Sequence, residues 1–425
     1  MKKLEFPYGK EKLCYDFEDN QLIAVLESSI NTYTPALDEA GLIKNAMENP
    51  IDSEKLSVLA KGKQKIVIIA SDHTRPVPSK LIIPPMLAEI RKGNPNADIS
   101  ILIATGCHRG TTKEELVAKF GEDIVANEKI YIHDCDEREQ LINIGTLPSG
   151  GECEINRLAY EADLLIAEGF IEPHFFAGYS GGRKSVLPGV AGRSTVLANH
   201  CSEFIADTNA RTGVLENNPI HKDMLWAAKT AQLKYIVNVV LNAEKQVIYA
   251  VAGDSEAAHR QGVDFLSKLC GVQKAEADIV ISTNGGYPLD QNVYQAVKGM
   301  TAAEATVKQG GVIIMLAKSN DGIGGDHFFH QLADEKDIHK TMADFLARDR
   351  KHTVPDQWQT QVLLRVLMHA TVIYVSEMPD DIIKEMHMIP AHSLDDALSI
   401  AKKVIGKDNP EIVAIPDGVS VIVKC

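Results

Sequence analysis

The chain has no apolar run approaching the roughly 18 residues of a membrane span; its longest apolar clusters, such as KIVIIA and GVIIMLA, are strand-sized. It also lacks the cysteine spacing of a disulfide framework or zinc knuckle. The seven cysteines are odd in number, scattered and never arranged CxxC, a pattern suited to a reducing cytosol. Positive charge is in the minority, with 44 Lys and Arg against 58 Asp and Glu and a formal net charge of −14. That balance argues against nucleic acid or an anionic membrane as the main partner, and an anionic ligand would need a local basic pocket. The opening MKKLEFPYGKEK has no apolar core of a signal peptide, so the expected location is the cytoplasm. There is no low-complexity tract, no short-period repeat, and no GxGxxG between a strand and a helix.

What is present is an ordinary globular composition, 45% hydrophobic and 24% charged, over 425 residues, enough for two or three domains. Short apolar runs (KIVIIAS, DISILIATG, ADLLIAEG, ADIVISTNGG, GVIIMLA, TVIYVS) alternate with helical patterns such as TTKEELVAKFG, DSEAAHRQGVDFLSKLCG and SLDDALSIAKKVIG. This alternation predicts an α/β fold, two domains with mainly parallel sheets flanked by helices. YIVNVVLNAEKQVIYAVAG reads instead as a hairpin around Asn242–Lys245. A boundary is expected near Gly271–Lys274, giving an N-terminal unit over 1–271 and a C-terminal unit over 272–405. The closing residues 406–425 are expected to form two strands that pack back on the first unit.

The polar residues cluster after the strands. KIVIIAS leads into Asp72-His73-Thr74-Arg75, ILIATG into Cys107-His108-Arg109, and LLIAEG into Phe170-Ile171-Glu172-Pro173-His174. Ligands of open parallel sheets bind beyond the carboxyl ends of the strands. One histidine there is ordinarily structural, whereas three at equivalent ends of one sheet, with Arg75 and Arg109, mark a candidate site.

The stretch GYSGGRKSVLPG, from Gly178 to Gly189, places Lys184 after a glycine turn. A phosphate loop needs glycine directly before its lysine, and Arg183 stands there, so that reading fails. AGRSTVLANHCSE reads as a short helix with His200 near its end; it is open between a half-buried polar residue and a metal ligand, since no second donor stands at close spacing. His327 and His330 flank two phenylalanines and read as packing. In PLDQNVYQAVKGM an N-cap-like Asp290 precedes a helix on which Tyr294, Gln295 and Lys298 share one face. That face suits a small carboxylate, or equally a solvated stripe.

SDHTRPVPS, ATGCHRG, EGFIEPHFFAGYSGGRKSVLPG, ANH and STNGGYPLDQNVYQAVKGMTAAEAT together resemble the nickel-dependent lactate racemase family, and the resemblance runs through nearly the whole chain. It implies an active site in the interdomain cleft. The implied cofactor is nickel in a nickel-pincer nucleotide, a pyridinium-3-thioamide-5-thiocarboxylic acid mononucleotide made by separate cofactor-synthesis proteins. By resemblance Lys184 carries the cofactor covalently and His200 completes the nickel coordination. His108 and His174 match the acid–base pair, and Arg75, Tyr294, Gln295 and Lys298 the substrate pocket. Asp72, His73, Thr74 and Arg75, with Gly181, Gly182, Arg183 and Ser185, match cofactor-contacting segments, Arg183 and the glycine amides facing its phosphate. The implied reaction interconverts D- and L-lactate by hydride transfer through pyruvate. Alternatives with the same residues are a racemase or epimerase of another 2-hydroxy acid, a dehydrogenase, or a non-catalytic carrier of the cofactor.

Overall fold

Residues 65–71, KIVIIAS, form a strand whose alternate side chains feed two different cores, as expected of a strand covered on both faces. Ile66, Ile68 and Ala70 join a cluster with Ile82 and Met86 of helix Ser79–Gly93. Val67 and Ile69 join the opposite one, with Met224 and Leu266. In this computed structural model, which describes residues 2–18 and 21–424, the strand is central to a six-stranded sheet. The sheet order is Val247–Asp254, Leu233–Leu241, Leu164–Phe170, Lys65–Ser71, Asp98–Ala104, Lys129–Ile132. All neighbours are parallel except the first pair, the hairpin expected around Asn242–Lys245.

The second sheet is wholly parallel, in the order Ile389–Ala391, Thr371–Val375, Val307–Leu316, Ala277–Thr283, Ile412–Ile415, Leu22–Val25. Its inner residues Val280, Ile313 and Met315 enter the same cluster as Val67 and Ile69 of the first sheet, so one core runs between the two units. Its outer residues Ile279, Ile281 and Ile314 pack with Phe6 and Phe17 of the hairpin Lys2–Tyr8/Glu11–Phe17.

Two expected boundaries are corrected here. The N-terminal residues do not all belong to the first unit, because Leu22–Val25 is an edge strand of the second sheet and the hairpin packs on its outer face. The closing segment divides: Ile412–Ile415 lies inside the second sheet beside Ala277–Thr283, and only Ile422–Lys424 returns, pairing with Gly271–Gln273 at the junction. A four-residue parallel strand has no local partner in sequence, so its sheet is invisible until the fold closes.

The helix after PLDQ also starts later than its pattern suggests. Leu289 and Asp290 form a turn whose N–H groups both donate to Gly286 O, at 2.8 and 3.1 Å. Asp290 is buried and accepts from Gly9 N at 2.6 Å. The cap is Asn292, whose side chain accepts from Gln295 N at 3.0 Å at the head of helix Val293–Glu304. Among the described residues no helix is long and apolar enough to cross a membrane.

Candidate active site

The carboxyl ends of three adjacent strands in the first sheet and helix Val293–Glu304 of the second unit face one cleft of about 450 Å³. After Lys65–Ser71 the chain turns on Asp72, which is almost fully buried. Its Oδ1 accepts from Thr74 N at 3.2 Å and Thr74 Oγ1 at 2.7 Å, and its Oδ2 meets His108 Nδ1 at 2.7 Å. Burial raises the Asp72 carboxyl, but the bonds from His108 and Thr74 and the charge of Arg75 outweigh it and leave it below its ordinary value. An ionised Asp72 makes His108 Nδ1 the donor, so Nε2 keeps its lone pair and the ring is set as a base.

His174 is set the other way. It lies in the two-residue ladder Pro173–His174/Gly178–Tyr179, between the rings of Phe175 and Phe176. Its Nδ1 accepts from Ala177 N at 3.2 Å, which puts the neutral ring's proton on Nε2. Burial first, then the charges of Lys184 and Lys298, push its pKa well below the usual imidazole range. One cleft thus holds two imidazoles of opposite tautomer, His108 with its lone pair and His174 with its N–H at Nε2.

Lys184 reaches the cleft from a loop that only glycine permits. Gly181 and Gly182 have φ of 78° and 52°. A Cβ at Gly181 would lie 2.7 Å from Asn238 Oδ1, and one at Gly182 2.8 Å from the His259 ring. Burial, then the neighbouring Arg183 and Arg75, hold the Lys184 amine well below its ordinary value, which favours the neutral, nucleophilic form. His200 follows helix Arg193–Asn199 and is buried, with Nδ1 bonded to Val196 O at 3.0 Å. That bond leaves Nε2 as the nitrogen available to a metal. Burial first, then the nearby Lys184, pushes His200 down to about 3, toward the neutral form that a metal ligand needs. Phe176 and the Trp358 indole flank the ring, with centroids 5.2 and 5.3 Å away.

From the second unit, Tyr294, Gln295 and Lys298 all line the cleft, so their shared helix face is no solvated stripe. Burial first, and Arg75 with it, lower Lys298 to about 8 against the opposing pull of Glu172.

Four residues matched by resemblance to cofactor contacts do not line the cleft. His73 turns away, its Nδ1 3.2 Å from Thr111 Oγ1 and 3.6 Å from Glu115. Thr74 spends its hydroxyl on Asp72. Gly182 gives its N–H to Asn238 Oδ1 at 2.8 Å. Arg183 is corrected most: it is buried behind the loop, donating to Tyr179 O and Ala177 O at 2.8 Å and to His221 Nδ1 at 3.0 Å, with the His259 ring beside it. A guanidinium that gathers these acceptors shapes the loop rather than presenting charge to a phosphate. Asp72, Arg75, Gly181, Lys184 and Ser185 do line the cleft.

Sequence reasoning missed three contributors. Glu168, buried on Leu164–Phe170, fixes the Asp72 loop by accepting from Ser71 N, Ser71 Oγ and Ser79 Oγ at 3.1, 3.0 and 2.9 Å. Asp356, at φ 63°, accepts from Tyr294 OH at 3.2 Å. Trp358 closes the wall by His200. The one available signal was VPDQWQTQ, which holds one of only two tryptophans.

Two α/β units thus share one cleft, lined by His108, His174, Lys184, His200 and Lys298. A model of the lactate racemase N-terminal domain matches residues 8–213, and one of the C-terminal domain matches residues 272–423. The chain belongs to the lactate racemase family. It is 54% identical over all 425 residues to a lactate racemase of Thermoanaerobacterium thermosaccharolyticum and 52% identical to one of Lactiplantibacillus plantarum, with both chains fully covered each time. The structure superposes on that of the lactate racemase apoprotein from Thermoanaerobacterium thermosaccharolyticum with a TM-score of 0.97 at 53% identity, each chain wholly covered. A Thermotoga maritima protein, 19% identical with a TM-score of 0.66, shares the fold; the match covers 92% of this chain and all of that one.

Proposed function

We propose that this cleft interconverts D- and L-lactate, using a nickel-pincer nucleotide attached to Lys184. The carrying observation is the opposed setting of His108 and His174, which a one-directional dehydrogenase or a mere carrier does not need. The residues fit the cofactor. Among the described residues no cluster of three His, Cys, Asp or Glu donors surrounds His200, the single such group being Asp134, Cys135 and Asp136. A metal held by one imidazole must bring its other ligands, as soft sulfur donors on a nucleotide would. Lys184 would hold the organic part and His200 the nickel, and the cofactor would supply hydride acceptance and return at substrate C2. Loading depends on the separate proteins that synthesise the cofactor.

The chain's own groups do the rest. Lys298 and Arg75 hold the carboxylate, with Gln295 and Tyr294 beside them. His108 Nε2 takes the hydroxyl proton of one enantiomer while Asp72 stabilises the resulting imidazolium. On the other face His174 acts as the acid once its Nδ1, released from the Ala177 amide, has taken a proton from solvent; Nε2 then gives its proton to the substrate oxygen while His108 carries the one it took. The test is chiral chromatography of single lactate enantiomers incubated with protein made beside the cofactor pathway, alongside a panel of other 2-hydroxy acids. Equilibration of lactate supports the reading; inversion of another acid with lactate untouched would replace it with the sister activity.

A further inference from the structure

Strands Asp98–Ala104 and Lys129–Ile132 run parallel with Ile103 beside Ile132. Their pairing continues past the strand ends, where His133 N donates to Ile103 O at 3.1 Å and Thr105 Oγ1 to His133 O at 2.6 Å. Two residues beyond Thr105 and His133 stand Cys107 and Cys135, so the paired strand ends bring the two thiols close enough for each to act on the other's acidity. Cys107 lines the cleft and is partly exposed, directly before His108, while Cys135 is buried. Arg193, held by both carboxylate oxygens of Asp136 at 2.7 Å, brings a positive charge to both sulfurs. The racemisation chemistry uses neither thiol.

We propose that Cys107 and Cys135 are a redox-active dithiol which a low-molecular-weight disulfide closes into an internal disulfide, displacing the His108 loop. The Cys107 thiolate attacks one sulfur of the small disulfide, forming a mixed disulfide and releasing one small thiolate. The Cys135 sulfur, losing its proton, then attacks the Cys107 sulfur, forming the internal bond and releasing the second small thiol. Two electrons and two protons pass from the protein to the small disulfide, and nothing else is consumed. The order follows from access and acidity. The neighbouring Cys135 thiol, then the Arg193 charge, bring the Cys107 thiol below its ordinary value despite burial, whereas the Cys135 thiol is pushed up.

Closing the bond draws the sulfurs to about 2.05 Å. Cys135 is anchored, with its carbonyl accepting from Arg193 N at 3.0 Å. The Gly106 turn, at φ 55°, therefore takes up the movement and carries His108 off its 2.7 Å bond to Asp72.

The test incubates full-chain, cofactor-loaded protein with oxidised glutathione, blocks free thiols and maps the peptides, following racemisation in parallel. The expected wild-type result is a linked Cys107–Cys135 peptide pair and a racemisation rate lower by about tenfold or more, restored by dithiothreitol. Cys135→Ser stops at glutathione on Cys107, and Cys107→Ser forms neither bond. Wild-type protein that stays reduced at both positions while exposed Cys14 is glutathionylated overturns the proposal, whatever the variants do. A linked pair with an unchanged rate overturns the loop displacement. That second readout rests on the racemase reading whereas the mapping does not, so the two failures are distinguishable.

Discussion

The two sides of the cleft are built by opposite means. The first unit delivers its reactive groups from irregular loops pinned by buried polar contacts: Glu168 under Ser71, Asp72 under His108, and Asn238 and Arg183 behind the Gly181–Ser185 loop. The second unit delivers Tyr294, Gln295 and Lys298 from one regular helix, and the helical repeat alone puts them side by side. Groups that exchange protons need a fixed tautomer and pKa, which takes several specific partners. Groups that hold a carboxylate need only charge and position. Damage on the first side should therefore be chemical and severe, and on the second graded.

The largest expected effect is at Lys184. Lys184→Ala abolishes the covalent mass increment in intact-mass spectra and all racemisation, while His200→Ala keeps much of the organic adduct and loses nickel by metal analysis. A wild-type-sized adduct on the Lys184 variant would remove the attachment site. Next, His108→Ala or His174→Ala lowers the full cycle by about a hundredfold to ten-thousandfold, read as the initial rate from each pure enantiomer. Normal racemisation by either variant dissolves the pairing.

Asp72→Asn separates positioning from presence. An amide turned toward His108 donates to Nδ1, moves the ring proton to Nε2 and removes the base, for a loss on the order of a thousandfold with the fold intact. An effect confined to thermal stability would make Asp72 structural only.

On the binding side, Lys298 is charged below about 8 and neutral above it. Carboxylate affinity is accordingly held at neutral pH and lost as pH rises through 8, seen as a rise in KM with less change in kcat. Lys298→Arg, which stays charged, removes that limb, and an unchanged alkaline limb in this variant would assign it elsewhere. The smallest effect is Asp356→Asn. Asparagine tolerates the left-handed backbone and still accepts from Tyr294, so the unfolding free energy should shift by less than about 1 kcal/mol.

The same contrast explains what the sequence could reveal. The strands were legible as apolar runs, and the face bearing Tyr294, Gln295 and Lys298 as helical spacing. Strand-end positions brought His108 and His174 forward, and resemblance to a family supplied roles for Lys184 and His200 that no spacing rule contains. The pins were not legible. Glu168 looks like any strand-end acid until Ser71 and Ser79 turn onto it, and Arg183 looks like a phosphate ligand until four carbonyls and imidazoles close around it. Asp356 and Trp358 lie some sixty residues from the helix they touch, so only tertiary folding joins them. His73 shows the converse, a strand-end histidine that packs away from the cleft against Thr111.

The central claim is that the two histidines exchange only the hydroxyl proton, while the C2 hydrogen travels as hydride and never meets solvent. The most direct measurement racemises L-lactate with the loaded enzyme in D2O and reads isotope at C2 of the D-lactate formed, by proton NMR. A hydride kept within the cleft predicts full retention of C2 protium at complete racemisation. Deuterium appearing at C2 in step with racemisation would mean that His108 or His174 removes the carbon-bound proton, and would contradict the account.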